Sequence, residues 1–132
     1  MELIEEIFKN TKTIAVIGMK DDSSAAHYVP EYMSEHGYKI YPVNSTKLGK
    51  SVLGEKFVAS VTELKDKIDT VEIFRRPEYI PEHVNEILQM DPLPKYVWFQ
   101  LGITNNEAAR ELENAGIKVI QNTCMLVEHG KL

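Results

Sequence analysis

Short runs of β-branched residues alternate with helix-like patterns along the chain, and this alternation narrows the fold more than any other feature. The runs are residues 12–18 (KTIAVIG), 38–43 (YKIYPV), 70–74 (TVEIF), 96–100 (YVWFQ) and 117–121 (IKVIQ). The first is an apolar run ending in Gly18, the look of a strand buried on both faces. Pro42 suggests exposure near the end of the second. Helical spacing covers residues 25–36, stopped by Gly37, and residues 81–90, where Val84, Ile87 and Leu88 share a face and Pro81 fits a first turn. Thr104-x-x-Glu107 forms a capping box for a helix running to Ala115 and closed by Gly116. Residues 62–67 fit a short helix, and a C-terminal helix begins near Thr123. An opening helix over residues 2–9 buries Leu3, Ile4, Ile7 and Phe8. Strands alternating with helices require crossover connections, hence an α/β fold: a doubly wound, mainly parallel five-stranded sheet covered on both faces. Two strand orders suit it, 3-2-1-4-5 (Rossmann-like) and 2-1-3-4-5 (flavodoxin-like), and both place a ligand at the carboxyl ends of the strands.

A length of 132 residues fits one domain, residues 1–132, whose core needs no disulfide or metal staple. With 43% hydrophobic and 27% charged residues, the composition argues against disorder. The net charge of −5 opposes nucleic acid and anionic membrane surfaces as partners but leaves room for a local basic pocket. The acidic N-terminal stretch is unlike a signal peptide, and no apolar run approaches the ~20 residues that cross a bilayer. The lone Cys124 makes no internal disulfide, which agrees with a reducing compartment, and the expected location is the cytoplasm.

The strand ends are Gly18-Met19-Lys20, Val43-Asn44-Ser45, Phe74-Arg75-Arg76-Pro77, Gln100-Leu101-Gly102 and Asn122-Thr123-Cys124. Gly18 allows close backbone approach by a ligand, and a helix beginning near Ser23 or Ser24 offers free N–H groups. Lys20, Lys47, Lys50, Arg75 and Arg76 are expected on one rim, where they suit a polyphosphate or a nucleotide 3′-phosphate. A single loop lysine is as readily just solvated, but adjacent arginines at a strand end favour function.

Other chemistries fit poorly. Gly18-Met19-Lys20-Asp21-Asp22-Ser23 holds only the first glycine of G-x-G-x-x-G, and no carboxylate ends the second strand, which disfavours NAD. There is no Walker A loop, and the aspartate and lysine of a phosphoreceiver are replaced by Phe74-Arg75 and Gln121-Asn122. The four histidines, His27, His36, His83 and His129, are scattered without metal-ligand spacing, so no metal site is expected. Cys124 at a helix start reads more readily as a small core residue than as a reactive thiol. Trp98 and Phe99 read as core packing, and the Asp91-Pro92-Leu93-Pro94 stretch as a rigid connector.

The pieces KTIAVIGMKDD, AHYVPEYMSEHGYKIYPVN, LGEKFVAS, TVEIFRRPEYIPE, VWFQLGI and NTCMLVEH together resemble the small stand-alone CoA-binding proteins. That family is related to the CoA-binding N-terminal domain of the succinyl-CoA synthetase α subunit. The resemblance implies a Rossmann-like domain of strand order 3-2-1-4-5, with coenzyme A across the carboxyl edge of the sheet. It implies Gly18, Met19 and Lys20 against the pyrophosphate and pantetheine, and Val43, Asn44 and Lys47 near the adenosine and its phosphates. It further implies Phe74, Arg75, Arg76 and Pro77 flanking the adenine and phosphates, Gln100, Leu101 and Gly102 along the pantetheine arm, and Cys124 near the thiol end. Ser45 stands where relatives often carry proline, and Met19-Lys20 replaces smaller residues, so a narrower pocket is expected there.

The expected function is therefore a non-catalytic CoA or acyl-CoA binding protein. The alternatives are an interaction protein or scaffold with a vestigial site, and an enzyme using Cys124 for thioester or thiol–disulfide chemistry. Acyl-CoA synthesis is not expected, because the synthetase's phosphorylated histidine belongs to a second domain. A homodimer could form through an edge strand or a helix face, and the sequence selects neither; it names no protein partner.

Overall fold

Each apolar run becomes a strand in the computed structural model, which describes residues 2–132. The chain runs α1 (Glu2–Asn10), β1 (Thr13–Ile17), α2 (Ala25–Glu35), β2 (Lys39–Val43), the two-residue strands β3 (Ser51–Val52) and β4 (Glu55–Lys56), then β5 (Thr70–Ile73). It continues with α3 (Ile80–Ile87), β6 (Tyr96–Phe99), α4 (Asn106–Asn114), β7 (Lys118–Ile120) and α5 (Met125–His129). Gly37 terminates α2 at φ +96°, where Tyr38 N–H reaches Met33 O and Gly37 N–H reaches Ser34 O.

The main sheet has five strands in the order β2-β1-β5-β6-β7, and every pairing in it is parallel. Over these five strands alone the order is 2-1-3-4-5. Beyond β2, however, Val58 forms an isolated parallel bridge with Val43, at the place a third strand holds in the 3-2-1-4-5 arrangement. Counted as third, the bridge gives the Rossmann order with β7 added at the far edge. It stays short for a local reason: Val58 bonds Pro42 O and Asn44 N, and then Ser60 caps a 3-10 turn, Val61–Glu63, that leads the chain away.

Alternation along each strand sends side chains to opposite faces, and both faces are buried. Ala15, Ile17, Val71, Ile73, Val97 and Phe99 pack under α3 and α4 through Ile80, Val84, Ile87, Ala108 and Leu112. Ile14, Val16, Ile40 and Trp98 pack on the other face with Ile4, Ile7 and Phe8 of α1, Val29 and Met33 of α2, and Met125 of α5. Three local expectations are corrected. Pro42 is buried, because the Val58 bridge covers the outer side of β2. Residues 62–67 contribute only the end of that 3-10 turn, capped by the Ser60–Glu63 capping box. The cap of α4 is Asn105 rather than Thr104, its side chain accepting from Ala108 N–H at 3.0 Å while Gln121 holds its own N–H at 2.7 Å. Among the described residues no helix is long and apolar enough to cross a membrane.

Candidate functional site

β1 ends at Gly18, which adopts φ +84° and donates its N–H to Val43 O at 2.8 Å. A Cβ at this position would be driven into the carbonyl of Phe74. What approaches Gly18 is therefore the neighbouring strand end, and the glycine is demanded by packing before any ligand arrives. Met19 turns inward: it is fully buried in the core with Val29 and Met33, and its carbonyl accepts from Asn44 Nδ2 at 2.9 Å. Its long side chain does not narrow the cleft, contrary to expectation. Lys20 comes out to solvent, its N–H held by Ala26 O at 3.2 Å.

The turn then leads into α2. Ser24 is the N-cap, yet its hydroxyl makes no cap hydrogen bond. His27 and Tyr28 donate to Ser24 O, while the N–H groups of Ala25 and Ala26 find no partner among the described residues. These are the orphan donors every helix start presents, and here they border a cleft.

That cleft, about 490 Å³, opens at the carboxyl edge between the start of α2 and the start of α5. One side is Lys20, Ser24, Ala25, Ala26 and Tyr28; the middle is Phe74, Arg75, Arg76 and Pro77; the far side is Gln100, Leu101, Gly102, Ile103 and Cys124. A second cleft of about 380 Å³ lies across Arg75, bordered by Gly18, Val43, Asn44, Ser45 and His83. The fold thus brings together most of the residues proposed from the sequence, distributed over two clefts that share Arg75. Lys47 and Met19 border neither.

The cations divide accordingly. Lys47 Nζ lies 3.1 Å from one Asp21 oxygen and Lys50 Nζ 3.5 Å from the other. The Lys47 hydrogen bond holds the Asp21 carboxyl below its usual range. These two lysines are engaged by the first loop instead of lining the rim. Lys20, Arg75 and Arg76 make no ion pair among the described residues, and Arg75 lies 4.6 Å above the Tyr79 ring, which steadies its guanidinium.

The far wall is held by its own hydrogen bonds. Buried Gln100 accepts Met125 N–H on Oε1 at 3.2 Å, and Asn122, at φ +53°, accepts Gly102 N–H at 2.7 Å. Cys124 is the N-cap of α5, partly buried and a free thiol. In the second cleft His83 is buried, its Nδ1 2.9 Å from Glu86 Oε1 and its Nε2 without a partner.

Sequence reasoning passed over Ala25, Ala26, Tyr28 and Ile103 on the main cleft, and His83 on the second. Only Ser24, as a helix-start residue, carried a signal. The histidines, scattered along the chain, are partly gathered in space: the His36 and His129 rings are 5.2 Å apart, with Tyr32 stacked on His36 and bonded through its hydroxyl to His129 Nδ1 at 3.0 Å. Among the described residues no three His, Cys, Asp or Glu side chains converge as a metal site would require.

The sequence profile of the CoA binding domain matches residues 12–130. An uncharacterized protein of Bacillus subtilis strain 168 is 39% identical over 127 residues, 96% of this chain and 91% of that protein. A solved structure from Thermus thermophilus is similar at a TM-score of 0.92 and 40% identity, covering 98% of this chain and 96% of that one. A hypothetical protein from Pyrococcus horikoshii OT3 is similar at a TM-score of 0.90 and 37% identity, covering 99% of this chain and 90% of that one.

Proposed function

The chain belongs to the family of CoA-binding domains, and from that premise we propose that it binds coenzyme A or an acyl-CoA at the carboxyl edge of its sheet, without catalysing a reaction. The observation that carries the reading is the set of three cations without ion-pair partners, Lys20, Arg75 and Arg76, on one cleft of a protein whose net charge is −5. Phosphates are the natural counterpart of such a rim, since charge-assisted hydrogen bonds to anions are stronger than neutral ones.

In this reading the pyrophosphate lies against Lys20 and the first N–H groups of α2, within reach of Arg75 and Arg76. The adenosine occupies the second cleft beside Val43 and Asn44, and the pantetheine arm runs past Phe74, Gln100 and Gly102 toward Cys124. Binding without catalysis is supported at the thiol: Cys124 has no hydrogen-bonded histidine or carboxylate among the described residues to act as a base. A reducing compartment such as the cytoplasm suits this free thiol.

Isothermal titration with CoA tests the proposal. Replacing Arg75 and Arg76 together by alanine is expected to weaken binding at least tenfold, since a hydrogen bond to a charged group contributes roughly 1.5–3 kcal/mol. Rising salt should weaken the unsubstituted protein in the same direction. Cys124→Ala should retain the affinity. An Arg75→Ala/Arg76→Ala protein that binds CoA as tightly as the parent contradicts this placement of the phosphates.

A further inference from the structure

The main cleft is chemically lopsided. Its cations, Lys20, Arg75 and Arg76, come from the loops after β1 and β5, whereas the wall built after β6 and β7 contributes no charged side chain. Three polar groups of that wall are engaged within the protein: Gln100 Oε1 by Met125 N–H at 3.2 Å, Gln100 O by Ile103 N–H at 3.0 Å, and Gly102 N–H by Asn122 at 2.7 Å. On that wall the apolar side chain of Leu101 stands in water instead, 64% exposed. A ligand that matches both ends has an anionic head and an apolar tail.

We propose that the site selects an acylated form of CoA, a thioester of a short, uncharged aliphatic acid, over free CoA. This rests on the CoA reading above and adds the identity of the group on sulfur. With the phosphates at the cationic loops, the sulfur comes to the wall of Leu101, Ile103 and Cys124, where an aliphatic chain removes Leu101 from water. A carboxylated acyl group would arrive there without a cation to meet it, and burying that charge unpaired is costly.

Titration calorimetry with CoA, acetyl-CoA, butyryl-CoA and succinyl-CoA tests the inference. Affinity is expected to rise from CoA to acetyl-CoA to butyryl-CoA, by up to about fourfold for each methylene buried. Succinyl-CoA is expected to bind no more tightly than acetyl-CoA. Leu101→Ser should reduce the ratio of butyryl-CoA to CoA affinity, and because Leu101 is a mostly exposed surface side chain the variant should fold. Binding of CoA with equal affinity across the series, or tightest binding of succinyl-CoA, overturns the selectivity while leaving the CoA site in place. Failure of all four ligands to bind overturns the CoA reading and the selectivity with it.

Discussion

Glu72 lies in the central strand β5, level with Val16 on one side and Trp98 on the other, and neither of its carboxyl oxygens has a hydrogen-bond partner. Burial pushes its pKa up to about 8 from 4.5, so the folded protein holds a proton there that the unfolded chain releases. Stability contributed by this proton is fully present below about pH 4.5 and is lost as pH rises toward and through 8. Glu72→Gln keeps the shape without the titration. The melting temperature of the parent should therefore fall more steeply between pH 5 and 9 than that of the variant; parallel profiles would contradict the buried acid. At Gly18 the expectation is purely steric. Gly18→Ala must hold a positive φ and displace the Phe74 carbonyl, so chemical denaturation should show a loss of at least about 1–3 kcal/mol. At this scale the sequence was informative where neighbours along the chain act together. Adjacent Arg75 and Arg76 at a strand end could be picked out, and they border the cleft. Met19 and Lys47 were expected on the site but border neither cleft, because Met19 packs into the core beside Val29 and Met33 and Lys47 reaches Asp21, contacts that only the folded chain supplies.

The short helix α5 illustrates how elements are held. Its last residue, His129, meets Tyr32 from α2, the α2 C-cap residue His36, Tyr38 from the turn before β2 and Phe8 from α1. Burial first, and His36 second, lower the His129 pKa below 6.5, so the unfolded chain takes up the proton before the folded one does. Stability is accordingly lost as pH falls below 6.5. His129→Phe should make melting less sensitive to acid in this range; an unchanged acid limb would contradict the lowered His129 pKa. The N-cap of α5, Cys124, and the first residues of α2 line the main cleft. The five sheet strands and the longer helices were legible because their periodicity is local, and Gly37 and Gly116 mark stops through their positive φ. The cap of α4 and residues 62–67 were less legible. Asn105 and Thr104 are both plausible caps by type, and the Gln121 contact that fixes Asn105 comes from a distant strand end.

For the whole molecule, strand alternation established a parallel, doubly wound sheet but not its neighbours. Whether the run after β2 pairs with β2 or the chain crosses back to β1 is settled by long-range packing. The answer here combines both: a one-residue bridge at Val58 beside β2, and β5 on the far side of β1. That arrangement sets β1 between β2 and β5, and the loops leaving β1 and β5 supply the glycine, the lysine and the two arginines of the site. The resemblance and the strand-end argument point to the same edge because the fold leaves its helix starts and free cations there. The most direct test is thermal unfolding of ligand-stripped protein with CoA or with NAD at equal concentration. At 100 times its Kd, a ligand of the folded state adds about 2.7 kcal/mol, which for a domain of this size is a rise of several degrees. A rise with CoA that is absent with NAD, and lost in Arg75→Ala/Arg76→Ala, is the predicted result; no rise with CoA, or an equal rise with NAD, would contradict the account.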